Sequence, residues 1–130
     1  MPPTAPALSA DGLSKHFGPV RALHDLSLRV EQGEAFGFLG PNGAGKTTTI
    51  RLLLGLLAPT TGGATVLGET VSLGRARWRT DVGYLPGEVA FWPNLSGRET
   101  LDFLARLARR PPVDRPALLE LLGLDAATLA

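Results

Sequence analysis

Residues 40–50 read GPNGAGKTTTI, with three glycines and one of the chain's only two lysines in eleven positions. The run before it, Ala35-Phe36-Gly37-Phe38-Leu39, is continuously apolar, the pattern of a strand buried on both faces of a sheet. The run after it, residues 47–57, repeats Ile50, Leu53, Leu54 and Leu57 on one helical face, and Pro59, Gly62 and Gly63 end it. A buried strand, a glycine loop and a helix in that order are the punctuation of an α/β protein.

The loop carries chemistry as well as shape. Gly40, Gly45, Lys46 and Thr47 satisfy the spacing G-x-x-x-x-G-K-[ST] in the strand-to-helix context its mechanism demands. Glycines let the backbone curl so that successive N–H groups face phosphate oxygens, where a side chain would block the approach. The helix that follows turns its positive end to the same place. Lys46 then adds a point charge for the β and γ phosphates, and the Thr47 hydroxyl supplies part of a Mg²⁺ shell.

The flanking sequence gives the loop a compact setting. Leu26, Leu28 and Val30 alternate with Ser27 and Arg29 at strand period, and residues 64–67 and 82–85 read as further short strands. Ser96 and Glu99 have capping-box spacing ahead of Leu101, Leu104, Leu107 and Ala108 at helical spacing. After Pro111 and Pro112 a third helix over about residues 116–122 carries Leu118, Leu119 and Leu122 up to Gly123. A net charge of +1 supplies no field for nucleic acid. The absence of cysteine excludes disulfides and thiolate metal sites. The most apolar run, residues 50–58, is broken by Arg51 and falls far short of the ~20 residues of a spanning helix. The first twelve residues have neither the basic nor the apolar region of a secretory signal.

Many protein classes share such a loop. A guanine-specific GTPase needs Asn-Lys-x-Asp, yet neither Asn42 nor Asn94 precedes lysine, and no Asp-x-x-Gly occurs. Four segments narrow the choice further: LSKHFG with Phe17, the long block from Leu23 through Glu69, VGYLPGE, and LSGRETLDFLARL. Together they resemble the N-terminal part of the ATP-binding subunit of ABC transporters over residues 13–124, with LPGE and LSGRETL most similar to the drug-exporter branch. The resemblance implies an α/β, P-loop NTPase fold, incomplete, with an N-terminal antiparallel β portion and the start of a helical subdomain over about residues 96–130. Residues 1–10 are expected to be loose.

The resemblance also distributes roles. ATP would be held by Phe17, Gly40, Pro41, Asn42, Gly43, Ala44, Gly45, Lys46, Thr47 and Thr48, with Phe17 stacking on the adenine and Thr47 on Mg²⁺. Without the family pattern, Phe17 reads as a core aromatic at a strand end. Val89, Phe91, Trp92 and Leu95 would dock a transmembrane permease subunit, ordinary core packing being the competing reading. A second ATP-binding subunit is the other implied partner, and the implied location is cytoplasmic, peripheral on the inner face of the cell membrane.

Two departures from the family pattern bear on activity. Gly87 stands where a glutamine usually joins the Mg²⁺ shell, leaving Glu88 as the neighbouring candidate. A signature loop of the LSGGQ type, an apolar strand ending in Asp-Glu and a later histidine are absent. Leu95 to Glu99, LSGRE, imitates the signature but has Arg98 in place of its second glycine and reads as a helix cap. The expected function is therefore ATP binding as an N-terminal fragment of an export subunit that would not hydrolyse ATP alone. The alternatives are a non-catalytic or decoy nucleotide-binding module, or another P-loop kinase.

Overall fold

The structure is a computed structural model describing residues 5–74, 77–88, 92–108, 115–125 and 127. It divides into two compact units, Met1–Gly83 and Tyr84–Ala130. The first holds β1 (Leu8–Phe17), β2 (Val20–Val30), α1 (Lys46–Leu53), β3 (Thr61–Val66), β4 (Glu69–Thr70) and a 3₁₀ turn, Arg77–Asp81. The second holds α2 (Gly97–Leu107) and α3 (Arg115–Leu122).

The four strands form one antiparallel sheet in the order β2-β1-β3-β4. In β2 the alternation read from Leu26, Leu28 and Val30 is observed, each half-buried between exposed Ser27 and Arg29. β1 begins at Leu8, which pairs with both Val30 and Val66. Residues 8–10, expected in a loose extension, are thus the start of a central strand flanked on both sides. The β1–β2 ladder is irregular in three places. At one of them buried Ser14 replaces a missing ladder bond, its hydroxyl accepting from the Asp25 N–H at 2.9 Å.

The core of this unit joins the sheet to α1. Ala10, Leu13, Leu23, Leu52 and Ala64 are buried, with Leu26, Leu28, Leu53, Leu57 and Val71 packed around them. The helix is shorter than its apolar stripe. Leu54 is its C-cap, and Gly55 at φ 62° turns the chain out of the helix. The Leu56 N–H bonds the Arg51 carbonyl at 2.8 Å and the Gly55 N–H bonds that of Leu52 at 2.9 Å, the paired bonds of a Schellman ending. The most buried helical residues are Thr49 and Leu52, neither of which belonged to the expected stripe.

Two expected strands are not formed. Residues 35–39 have no regular structure, and Leu39 is 92% exposed. A strand apolar on both faces needs neighbours to pair with and layers to cover it, and among the described residues no strand pairs with this one. Residues 82–86 are likewise irregular. Phe36 and Phe38 instead join Leu8, Leu28, Ile50 and Leu53 along an apolar groove of about 390 Å³.

In the second unit the helix start is as expected. The Ser96 N–H donates to the Glu99 carboxylate at 2.8 Å and the Glu99 N–H to the Ser96 hydroxyl at 3.3 Å, completing the capping box of α2. LSGRE is therefore a helix entry. Trp92 meets Phe103 edge to face at 5.1 Å. Leu101, Leu104 and Leu107 remain exposed along the same helix.

Candidate phosphate-binding site

The loop before α1 has its shape imposed by two left-handed glycines. Gly43 and Gly45 lie at φ 84° and 85°, a region costly for other residues. At Gly45 the constraint is doubled, because an added Cβ would stand 2.5 Å from the Ala22 carbonyl oxygen in β2. Gly45 also caps α1 without a side chain. Its carbonyl accepts the Thr49 N–H at 2.8 Å and the Thr49 hydroxyl at 3.0 Å, which ties the buried Thr49 to the first turn.

Lys46 folds back over the loop. Its ammonium donates to the Gly40 carbonyl and, at 2.7 Å, to that of Pro41, while the Ala44 N–H closes a turn on Pro41 at 3.2 Å. An ammonium has three donors, so one remains beyond these two bonds. The first three helical N–H groups, at Lys46, Thr47 and Thr48, have no intrahelical acceptor. They carry the partial positive charge of the helix start.

A pocket of about 340 Å³ opens over this turn, lined by Val20, Arg21 and Ala22 from β2 and by Asn42, Gly43, Gly45, Lys46, Thr47 and Thr48. Its charged lining is entirely positive. Six of the ten expected ATP contacts come together there; Gly40, Pro41 and Ala44 shape the loop behind it. Phe17 is not among the lining residues. It ends β1 opposite Val20, half-exposed, with the Lys15 ammonium 5.1 Å above its ring. Lys15 is fixed there by a 2.7 Å bond to the Ala58 carbonyl.

The residues that sequence reading missed are those of β2. Val20, Arg21 and Ala22 carry no motif, and their place in the pocket depends on how the first hairpin pairs. Gly87 and Glu88 lie in an exposed bend of the second unit. Trp92 and Leu95 are partly exposed there, and Val89 and Phe91 lie outside the described residues. Among the described residues no group of three or more His, Asp or Glu side chains is placed to hold a metal ion. Among them also no helix is long and apolar enough to cross a membrane.

Sheet, glycine loop and helix are the parts of a P-loop NTPase fold. A solved ATP-binding subunit of an ABC transporter superposes with a TM-score of 0.73 at 28% identity, over 88% of this chain and 49% of that one. Residues 23–128 match the ABC transporter family, and the chain belongs to that family. It is 38% identical over 126 residues to the Nod factor export ATP-binding protein I of Ralstonia nicotianae, covering 94% of this chain and 39% of that protein. It is 37% identical over 119 residues to the bacitracin transport ATP-binding protein BcrA of Bacillus licheniformis, covering 89% and 38%. The chain thus spans about two fifths of the length of these relatives. Family membership sets aside the kinase alternative.

Proposed function

We propose that this chain binds ATP through residues 40–48 as the nucleotide-binding part of a transporter of the ABC family. The observation that carries the reading is the left-handed turn at Gly45. It seats the loop against the Ala22 carbonyl of β2, where a Cβ would not fit, and so keeps Lys46 and the free N–H groups of Lys46, Thr47 and Thr48 at the pocket of about 340 Å³. A phosphate oxygen there would take the third N–H of Lys46 and the helix-start amides. Phe17, at the end of the adjoining hairpin, would offer the adenine the ring face opposite Lys15.

Mg²⁺ would be held through the Thr47 hydroxyl and, when bound, would screen the phosphate charge. A transmembrane subunit would engage the surface around Trp92 and Leu95, together with Val89 and Phe91. A second ATP-binding subunit would face the nucleotide. The relatives' printed roles support transport as the process, and that of the Nod factor export protein supports export; in such a role the chain would work at the cytoplasmic face of the membrane. The reading covers binding and assigns no residue to the activation of water.

Calorimetry of Mg-ATP on the chain and on Lys46→Ala tests it. Binding by the parent chain that falls about tenfold or more in the variant is expected, one charge-assisted contact being worth about that factor. Equal binding by the two would refute the role of the loop.

A further inference from the structure

A bulge in β2 carries an arginine to the glycine loop. Lys15 lies opposite Leu23 and His16 opposite Arg21, so one step along β1 spans two along β2 and Ala22 is the extra residue. Such a bulge bends its strand and re-aims side chains off the regular alternation. Here the Ala22 carbonyl is turned against Gly45. Arg21 is brought into the pocket wall beside Asn42, Lys46, Thr47 and Thr48.

The setting of Arg21 is electrostatically one-sided. It is exposed, and among the described residues no carboxylate pairs with it; the ion pair found there joins Arg29 to Glu31. The other charged group lining the pocket is the Lys46 ammonium. Two cations facing one cavity repel each other until an anion lies between them. A guanidinium presents its donors as a planar fork that matches a phosphate group, which a single ammonium cannot.

We infer that Arg21 is a binding residue for the phosphate chain of a nucleoside di- or triphosphate, donating to a phosphate oxygen from the side opposite Lys46. The inference rests on the reading of residues 40–48 as a phosphate cradle and adds to it a contact outside the loop. With both cations in use the site favours polyphosphates over monophosphates. The bulge at Ala22 is what positions the group, so the first hairpin takes part in ligand charge recognition as well as in the core.

The test is calorimetry of the full chain with Mg-ATP, Mg-ADP, AMP, adenosine and tripolyphosphate, comparing the parent with Arg21→Met, Arg21→Lys and Lys46→Ala. Arg21→Met is expected to weaken ATP, ADP and tripolyphosphate each about tenfold, the worth of one charge-assisted contact. Adenosine should be unaffected, and Arg21→Lys should recover part of the loss. Unchanged ATP binding in Arg21→Met, with a clear loss in Lys46→Ala, overturns the inference and leaves the cradle standing. A loss shared by adenosine overturns it too, because the contact would then be to the nucleoside. Absence of ATP binding by the parent defeats both readings. Melting curves of the variants separate these results from misfolding, and should Arg21→Met not fold, Arg21→Gln carries the same comparison.

Discussion

Replacing Gly45 by alanine isolates the contact on which the loop depends, with Gly43→Ala as its control. Both glycines have nearly the same left-handed φ, 85° and 84°, so each substitution carries the same conformational cost of roughly 1–2 kcal/mol. Their surroundings differ. Around Gly43 an added Cβ meets nothing within 4 Å, whereas at Gly45 it stands 2.5 Å from the Ala22 carbonyl oxygen. That oxygen belongs to a sheet backbone and yields only by moving β2, an overpacking cost of ~1–3 kcal/mol. The totals are roughly 1–2 kcal/mol for Gly43→Ala and ~2–5 kcal/mol for Gly45→Ala. At about 4 °C per kcal/mol for a domain of this size, the melting temperature should fall about 6 °C and about 14 °C respectively. Mg-ATP binding should fall more in Gly45→Ala, whose methyl group enters the pocket wall. Equal losses of stability in the two variants would refute the claim that β2 closes on the loop.

Three further outcomes follow from the same structure. Arg79 donates to the Leu54 carbonyl at 2.9 Å and the Gly55 carbonyl at 2.7 Å, holding the C-terminal end of α1. Arg79→Met should therefore cost ~1–3 kcal/mol in denaturant unfolding; a cost below about 0.5 kcal/mol would mean that the Schellman bonds alone suffice. Ser96→Ala removes the capping box of α2 and should lower helix content and stability by about 1 kcal/mol, read by circular dichroism. The Ser96 N–H, and after it the Ser96 hydroxyl, hold the Glu99 carboxyl below its usual range. A depressed carboxyl stabilises the fold above its unfolded pKa and loses that contribution as pH falls through the folded value. Helix content of the parent should thus decline with acid in that window, and Ser96→Ala, which removes the hydroxyl but keeps the N–H, should flatten the decline only in part.

The loop and the α2 cap were legible because their signals are local. Gly43, Lys46 and Ser96 with Glu99 each act within a few residues of themselves, and their spacing is the mechanism; the contact of Gly45 with Ala22 is the part that spacing does not carry. The end of α1 was legible in principle. Gly55 interrupts the leucine run where a left-handed residue is required, but the apolar stripe through Leu57 outweighed it. β1 was hidden because LSADGLSKHF has no clean alternation; its irregularities are absorbed by bulges and by Ser14. Residues 35–39 show the opposite failure. Their apolarity is that of a two-faced strand, yet strand formation belongs to the pairing, and no described strand pairs with them. Arg21 was invisible for a related reason, since its place depends on the register of a hairpin whose bulge no residue type announces.

The most direct test of the site is amide NMR of the isotopically labelled chain titrated with Mg-ATP. The N–H groups of Gly43, Gly45, Lys46, Thr47 and Thr48 should shift first and furthest, followed by those of Val20, Arg21 and Ala22 across the pocket. Shifts confined to the apolar groove around Phe36, Phe38 and Ile50, with the glycine-loop amides unmoved at saturation, would contradict the account.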